Sequence, residues 1–152
     1  MYYRVFGRSS NDVPPAALAG HLHAAGLSVE PHFKGDDLGW TSGEFRSAGL
    51  NTPVHLERYL AYEDEIRDDL NAYAAILETC DYSPNHSGLM ERVIQSQQLI
   101  VIRKPLDASN EVVLERILEE SCRFLAASTD GVYQIDGQGW FAANGDLLLQ
   151  EY

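Results

Sequence analysis

Apolar and polar residues alternate one for one over residues 27–34, with Leu27, Val29, Pro31 and Phe33 on one side and Ser28, Glu30, His32 and Lys34 on the other. That is the period of a strand with one buried face. Upstream, residues 2–6 are rich in β-formers. Asp12, Pro14 and Pro15 predict a helix start, with the carboxylate as cap and the prolines presetting φ. Leu18, Leu22 and Ala25 then share one stripe of a helix over residues 16–25, which Gly26 ends. After the alternating segment, residues 35–39 read as a turn and residues 40–46 and 54–61 as strands, making a three-stranded meander.

At Glu63 the period changes. Ile66, Leu70, Tyr73 and Leu77 lie on one helical face, and Glu63, Asp64 and Glu65 sit where the helix dipole is positive. Residues 81–85 break the pattern, a shorter helix over 87–95 carries Leu89 and Val93 inward, and residues 99–102 form a strand. Ser109 and Asn110 provide a cap for a helix with a stripe of Val113, Ile117, Ser121 and Phe124, which stops at Thr129-Asp130-Gly131. Three strands close the chain over residues 132–135, 140–143 and 146–150, the last two joined by the hairpin dipeptide Asn144-Gly145.

The order of elements is therefore duplicated: strand, helix, three strands over residues 1–61 and again over 99–152, with two connecting helices over 62–98. Residues 36–40 and 136–140 both read D-x-x-G-W, at the turn after the post-helix strand. The expected fold is α+β in a single domain over residues 1–152, in which two pseudo-symmetric units build a mainly antiparallel sheet packed on helices. Tandem strand-helix-strand-strand units of this kind resemble the gyrase-inhibitor-like and haem-binding SOUL proteins in architecture, though the chain carries no motif of that family. The resemblance implies paired sheets that form a ligand-binding groove.

Composition narrows the classes. The 152 residues suffice to bury about two thirds of the unfolded surface without a staple. With 45% apolar and 22% charged residues, the chain has the means to fold rather than stay disordered. Apolar runs such as residues 99–102 and 147–149 fall far short of the roughly 20 residues of a membrane helix. Residues 1–6 run directly into polar sequence with no secretory leader, which places the expected chain in the cytoplasm. Cys80 and Cys122 lie in helical patterns among apolar neighbours and read as core filler. A net charge of −12 opposes counterion release onto nucleic acid and repels anionic lipid, while favouring a basic protein surface.

Candidate chemistry is sparse. No phosphate loop, dinucleotide fingerprint, nucleophile elbow, H-E-x-x-H or C-x-x-C occurs, and no cofactor or metal is expected. What remains is a polar face on the first meander. If Lys34 pairs with Trp40, then His32 meets Ser42, Glu30 meets Glu44 and Ser28 meets Arg46 on one face, joined by His55, Glu57 and Tyr59 of the next strand. Glu30 against Glu44 is the one unfavourable contact this register contains, and local conflict points to a site. His21 and His23 read as surface residues of the first helix, and His86 as a capping or solvent contact. Trp40 and Trp140, at matching places in the two units, are candidates to line one groove. The acidic stretch over residues 57–69 is a candidate docking surface.

The leading expectation is a non-catalytic binding protein whose acidic surface engages a basic protein partner, as an inhibitor or immunity-type antagonist. The alternative is a small-molecule domain with a groove between the sheet halves, lined by Trp40, Trp140, Tyr59 and the polar face. A third is a metal-assisted, hydrolase-like enzyme using Glu30, Glu44 and the histidines.

Overall fold

The N-terminal strand has apolar residues on both of its faces, so it needs cover on both, and it becomes the centre of the structure. The computed structural model describes residues 1–106 and 109–152, and of Asp64 the backbone alone. Strand β1 (Tyr2–Gly7) pairs antiparallel with β5 (Gln98–Arg103) on one side and with β6 (Gly131–Ile135) on the other. The remaining strands are β2 (Glu30–Asp36), β3 (Gly39–Arg46), β4 (Val54–Leu60), β7 (Gly139–Ala142) and β8 (Leu147–Gln150). Together they make one antiparallel sheet in the order β2-β3-β4-β5-β1-β6-β7-β8. With helices on both faces, the chain is an α+β fold.

One face is covered along nearly its whole width. Helices α1 (Pro15–Ala24) and α4 (Glu111–Ser128) lay Leu18, Leu22, Leu114, Ile117, Leu118 and Leu125 on it. Beneath them the sheet supplies Tyr3, Val5, Phe45, Leu56, Ile100 and Tyr133, with Phe33 of β2 and Phe141 of β7 at the two flanks. Asn110 caps α4, its side-chain oxygen accepting from the Val113 N–H at 3.2 Å. Asp12 does not cap α1. Pro14 occupies that position without a side-chain bond, and the Asp12 carboxylate lies instead beside Gly39.

The opposite face is covered over half its width. Helices α2 (Asp64–Glu78) and α3 (His86–Ile94) press Ile66, Leu70, Leu77, Leu89 and Val93 against Phe6, Leu99, Val132, Trp140 and Leu149. The His86 ring, at the start of α3, reaches the Leu77 carbonyl from Nδ1 at 3.3 Å and ties the two helices together. Over β2, β3 and the start of β4 no described residue covers this face and its side chains are polar, while Tyr59 near the end of β4 packs against the cluster under α2. Of the acidic first turn of α2, Glu63 and Glu65 are described, and the Asp64 side chain lies outside the described residues. No helix of the described residues is long and apolar enough to cross a membrane.

The two units share their element order but are laid into the sheet in opposite senses. In the first unit the last strand, β4, adjoins the centre; in the second it is the first strand, β6. The two D-x-x-G-W turns follow suit. Gly39 and Gly139 both take positive φ, 114° and 145°, where a side chain would be strained. Trp40 pairs with Gly35 and points under α1 and α4, whereas Trp140 pairs with Gln134 and points under α2.

Both sheet edges are blunted. Pro31 lies in edge strand β2 and has no N–H to offer a further strand. At the other edge the α2–α3 connection covers β8. Tyr82 donates to the Gln150 carbonyl at 2.7 Å, and Ser83 and Asn85 both donate to that of Leu148.

Candidate partner-binding face

The uncovered strip is built from two rows of side chains that cross the strands. One row runs His32, Glu44, His55 and Arg103, and the next runs Lys34, Ser42, Glu57 and Val101. This corrects the expected register. Glu30 pairs with Arg46 and not with Glu44, because the β2–β3 turn is a tight one closed by Asp36 and Gly39, with a bulge between Lys34 and Gly35 that shifts the ladder. The carboxylate conflict therefore does not exist. Glu44 receives the Arg46 guanidinium at 2.6 Å and stands 3.9 Å from His55 Nδ1, while Glu30 meets His32 Nε2 at 2.9 Å. Glu30 and Glu44 thus each meet a nitrogen base along or across a strand, not each other.

His32, Lys34, Ser42, Glu44, His55 and Arg103 line a shallow cavity of about 590 Å³. Glu57 borders it and also borders a second cavity of about 620 Å³, on the side toward α2. Here the chemistry changes. Glu57, Glu63, Glu65 and Asp69 stand around a floor of Tyr2, Tyr59, Tyr73, Leu99 and Val101. The Tyr59 hydroxyl donates to the Glu57 carboxylate. That bond, with burial and the charges of Glu57, Glu63 and Asp69, pushes the phenol up to about 12.

Arg4 divides this groove. It is the one cation in an otherwise apolar central strand, and its side chain is only 17% exposed. Asp136 holds it at 2.5 Å and Gln134 at 2.9 Å, and its guanidinium lies 5.3 Å from the Tyr2 ring centre and 5.4 Å from that of Tyr73. Burial opposes the charge of Asp136, but bonds from Arg4, the Tyr2 N–H and Gln134 bring its carboxyl below the usual value.

The structure thus brings His32, Glu44, His55, Glu57 and Tyr59 onto one face, with Glu30 at its margin. It parts the two tryptophans. Trp40 is 5% exposed on the other face, its indole N–H donating to the Val13 carbonyl at 2.9 Å, so it lines no groove with Trp140. Trp140 touches the far end of the groove beside α2. Among the described residues no three His, Cys, Asp or Glu side chains are grouped to hold a metal ion. Cys122 is fully enclosed, and burial pushes its thiol up, away from the reactive thiolate.

Arg4, Tyr2, Tyr73, Asp136 and Arg103 belong to this face and escaped the sequence reading. A lone arginine inside the apolar run of β1 was the available signal, since a buried charge needs a partner. No protein-family model matches the chain, and no match is found among curated proteins or solved structures. The likeness to gyrase-inhibitor-like and SOUL proteins accordingly remains one of element order.

Proposed function

We propose that the chain is a non-catalytic binding protein that receives the basic surface of a protein partner on its half-covered sheet face. The carrying observation is the groove beside α2, where four carboxylates stand over tyrosine and aliphatic side chains. Carboxylates in such a field attract and orient a cationic partner, and aromatic floors supply contact area at small entropic cost. A net charge of −12 extends that field well beyond the groove. A protein of this kind acts as an antagonist by covering the basic working surface of its partner.

Titration of labelled poly-lysine against the protein at rising ionic strength tests this reading. Affinity is expected to fall steeply between about 50 and 200 mM salt, as screening shortens to about 8–10 Å. Absence of binding at low salt, or binding indifferent to salt, overturns it.

A second reading draws on the cavity over β2 to β4, whose mixture of imidazole, hydroxyl, carboxylate and guanidinium groups suits a small polar molecule. Nothing among the described residues favours the metal-assisted alternative.

A further inference from the structure

The groove beside α2 continues past its acidic end. Arg4, Tyr73 and Ile76 line both the cavity of about 620 Å³ and another of about 340 Å³, which runs on to Trp140, Tyr82 and Tyr152. One channel therefore follows α2 from its first turn to its last. The 15 residues of α2 rise about 22 Å at ~1.5 Å each, a distance that roughly seven residues of extended chain span at ~3.3 Å each.

The two ends of the channel differ in chemistry. At the first turn of α2 stand Glu57, Glu63, Glu65 and Asp69. At the last turn stand Tyr82 and Tyr152, packed edge to face at 5.4 Å, over Trp140 and Leu149. Between them Ile76 is 57% exposed, and Tyr82 and Tyr152 are 53% and 96% exposed, so the helix edge carries a row of uncovered apolar and aromatic groups. Arg4 in the middle does not repel a cation strongly, because Asp136 neutralises it. It also displays how this channel holds a guanidinium, with a carboxylate at its edge and tyrosine rings against its faces.

We infer that the channel along α2 docks an extended peptide segment of the partner, with a lysine or arginine at the Glu63–Asp69 end and an aromatic or leucine-like side chain about six positions further along at the Tyr82–Tyr152 end. The inference rests on the proposed binding function and specifies the segment it recognises. The length of the channel excludes single-residue cations as its natural occupant, and the polarity of its ends excludes a uniformly basic strand as the best one. Peptide docking of this type draws affinity from anchors at fixed spacing.

The test is a two-dimensional NMR titration of the full chain with a seven-residue peptide, arginine first and tryptophan last with Ser-Gly spacers, taken to millimolar concentration. Amide shifts are expected in β1, β4, α2 and the 80–85 connection. A peptide of the same composition with the two anchors adjacent should bind at least about fivefold more weakly. The double variant Glu63→Gln/Asp69→Asn and the variant Tyr152→Ala should each weaken the spaced peptide about tenfold, while Glu119→Gln, on α4 over the opposite face, leaves it unchanged. All three alter exposed or marginal positions, and an unchanged spectrum away from the groove confirms their fold. Equal binding of the two peptides, shifts confined to β2 and β3, or indifference to both groove variants overturns the channel. Should poly-lysine bind with steep salt dependence while the spaced peptide does not bind, the channel falls and the basic partner stands. Failure of poly-lysine alone removes the broader reading.

Discussion

The sheet face under α1 and α4 is covered from β2 to β7, whereas the opposite face is covered from the end of β4 to β8 and, among the described residues, bare over β2, β3 and the start of β4. On the first face the strands supply Phe45, Leu56, Ile100 and Tyr133, each at most 1% exposed. On the polar half of the second, β2 supplies His32, β3 Glu44, and β4 His55 and Glu57. The alternation of side chains along β3 and β4 makes both surfaces from the same backbone. On the proposed reading, fold stability is concentrated on one side and recognition on the other, so mutation should separate the two.

The largest effect should come from the covered face. Phe45→Ala is expected to cost about 3–5 kcal/mol in chemical denaturation, through lost transfer energy and the cavity left beside Phe33. Binding of poly-lysine by the fraction still folded should be unchanged. If the binding face fails in proportion to stability, the two sides are not independent.

Arg58 gives the next effect. It is 6% exposed on the covered side and has no described carboxylate partner. Its guanidinium instead donates to Gln98 at 2.8 Å and to the carbonyls of Leu38, Trp40 and Ser10 at 3.0, 3.2 and 3.2 Å. Arg58→Met keeps the volume and orphans these acceptors, at a cost of about 1–3 kcal/mol. Amide exchange should accelerate first in residues 9–12 and 37–40, which the guanidinium joins. Uniform acceleration across the sheet would refute that local role.

Alkaline titration compares the faces directly. Burial is the leading cause that pushes Tyr3 and Tyr133 up to about 12 on the covered side, and the Glu57 bond is the leading cause for Tyr59 on the bare side. A folded value above the unfolded value of 10.0 favours the protonated phenol in the native state. The resulting stability is whole below about pH 10 and declines as pH rises through about 12. The ultraviolet absorbance of phenolate follows the ionisation of these phenols. Glu57→Gln should bring one of them, Tyr59, back toward 10 while leaving the two covered ones in place, and movement of all three would break the distinction.

Glu44→Gln should have the smallest effect. Its ion pairs with Arg46 and His55 lie on an open surface, so the change should destabilise by about 0.2–1 kcal/mol in thermal unfolding. The register inferred from sequence would have had it relieve repulsion from Glu30; a gain in stability would restore that register against the structure.

Much of this was legible in the residues. The twofold alternation after Leu27, the helical spacing of Ile66, Leu70, Tyr73 and Leu77, and Asn144-Gly145 as a hairpin each report a local periodicity that local backbone geometry obeys. The bulge between Lys34 and Gly35 was not legible, since an extra residue leaves hydrophobic alternation almost intact while moving every partner. Strand order escaped for a different reason. Equal element orders and equal D-x-x-G-W turns do not say whether a meander starts or finishes at the centre, which long-range pairing with β1 and β5 decides. Within the proposed binding face, the run of carboxylates over residues 57–69 was legible in the sequence. The aromatic end was not, because Tyr82, Trp140 and Tyr152 meet only through the cover that residues 82–85 place on β8.

The position of β1 bears on how the chain is made. Its two partners, β5 and β6, lie about 90 residues or more beyond it in sequence, so β1 is made long before either, and each of its sides pairs only once residues 98–103 or 131–135 follow. Until then Tyr3, Val5 and Phe6 are an unpaired apolar segment, the kind of exposed surface that misassociates. Closing such distant pairs costs loop entropy before any contact rewards it, which places folding among the slower single-sheet reactions and makes synthesis of residue 135 the point at which the sheet can first become cooperative.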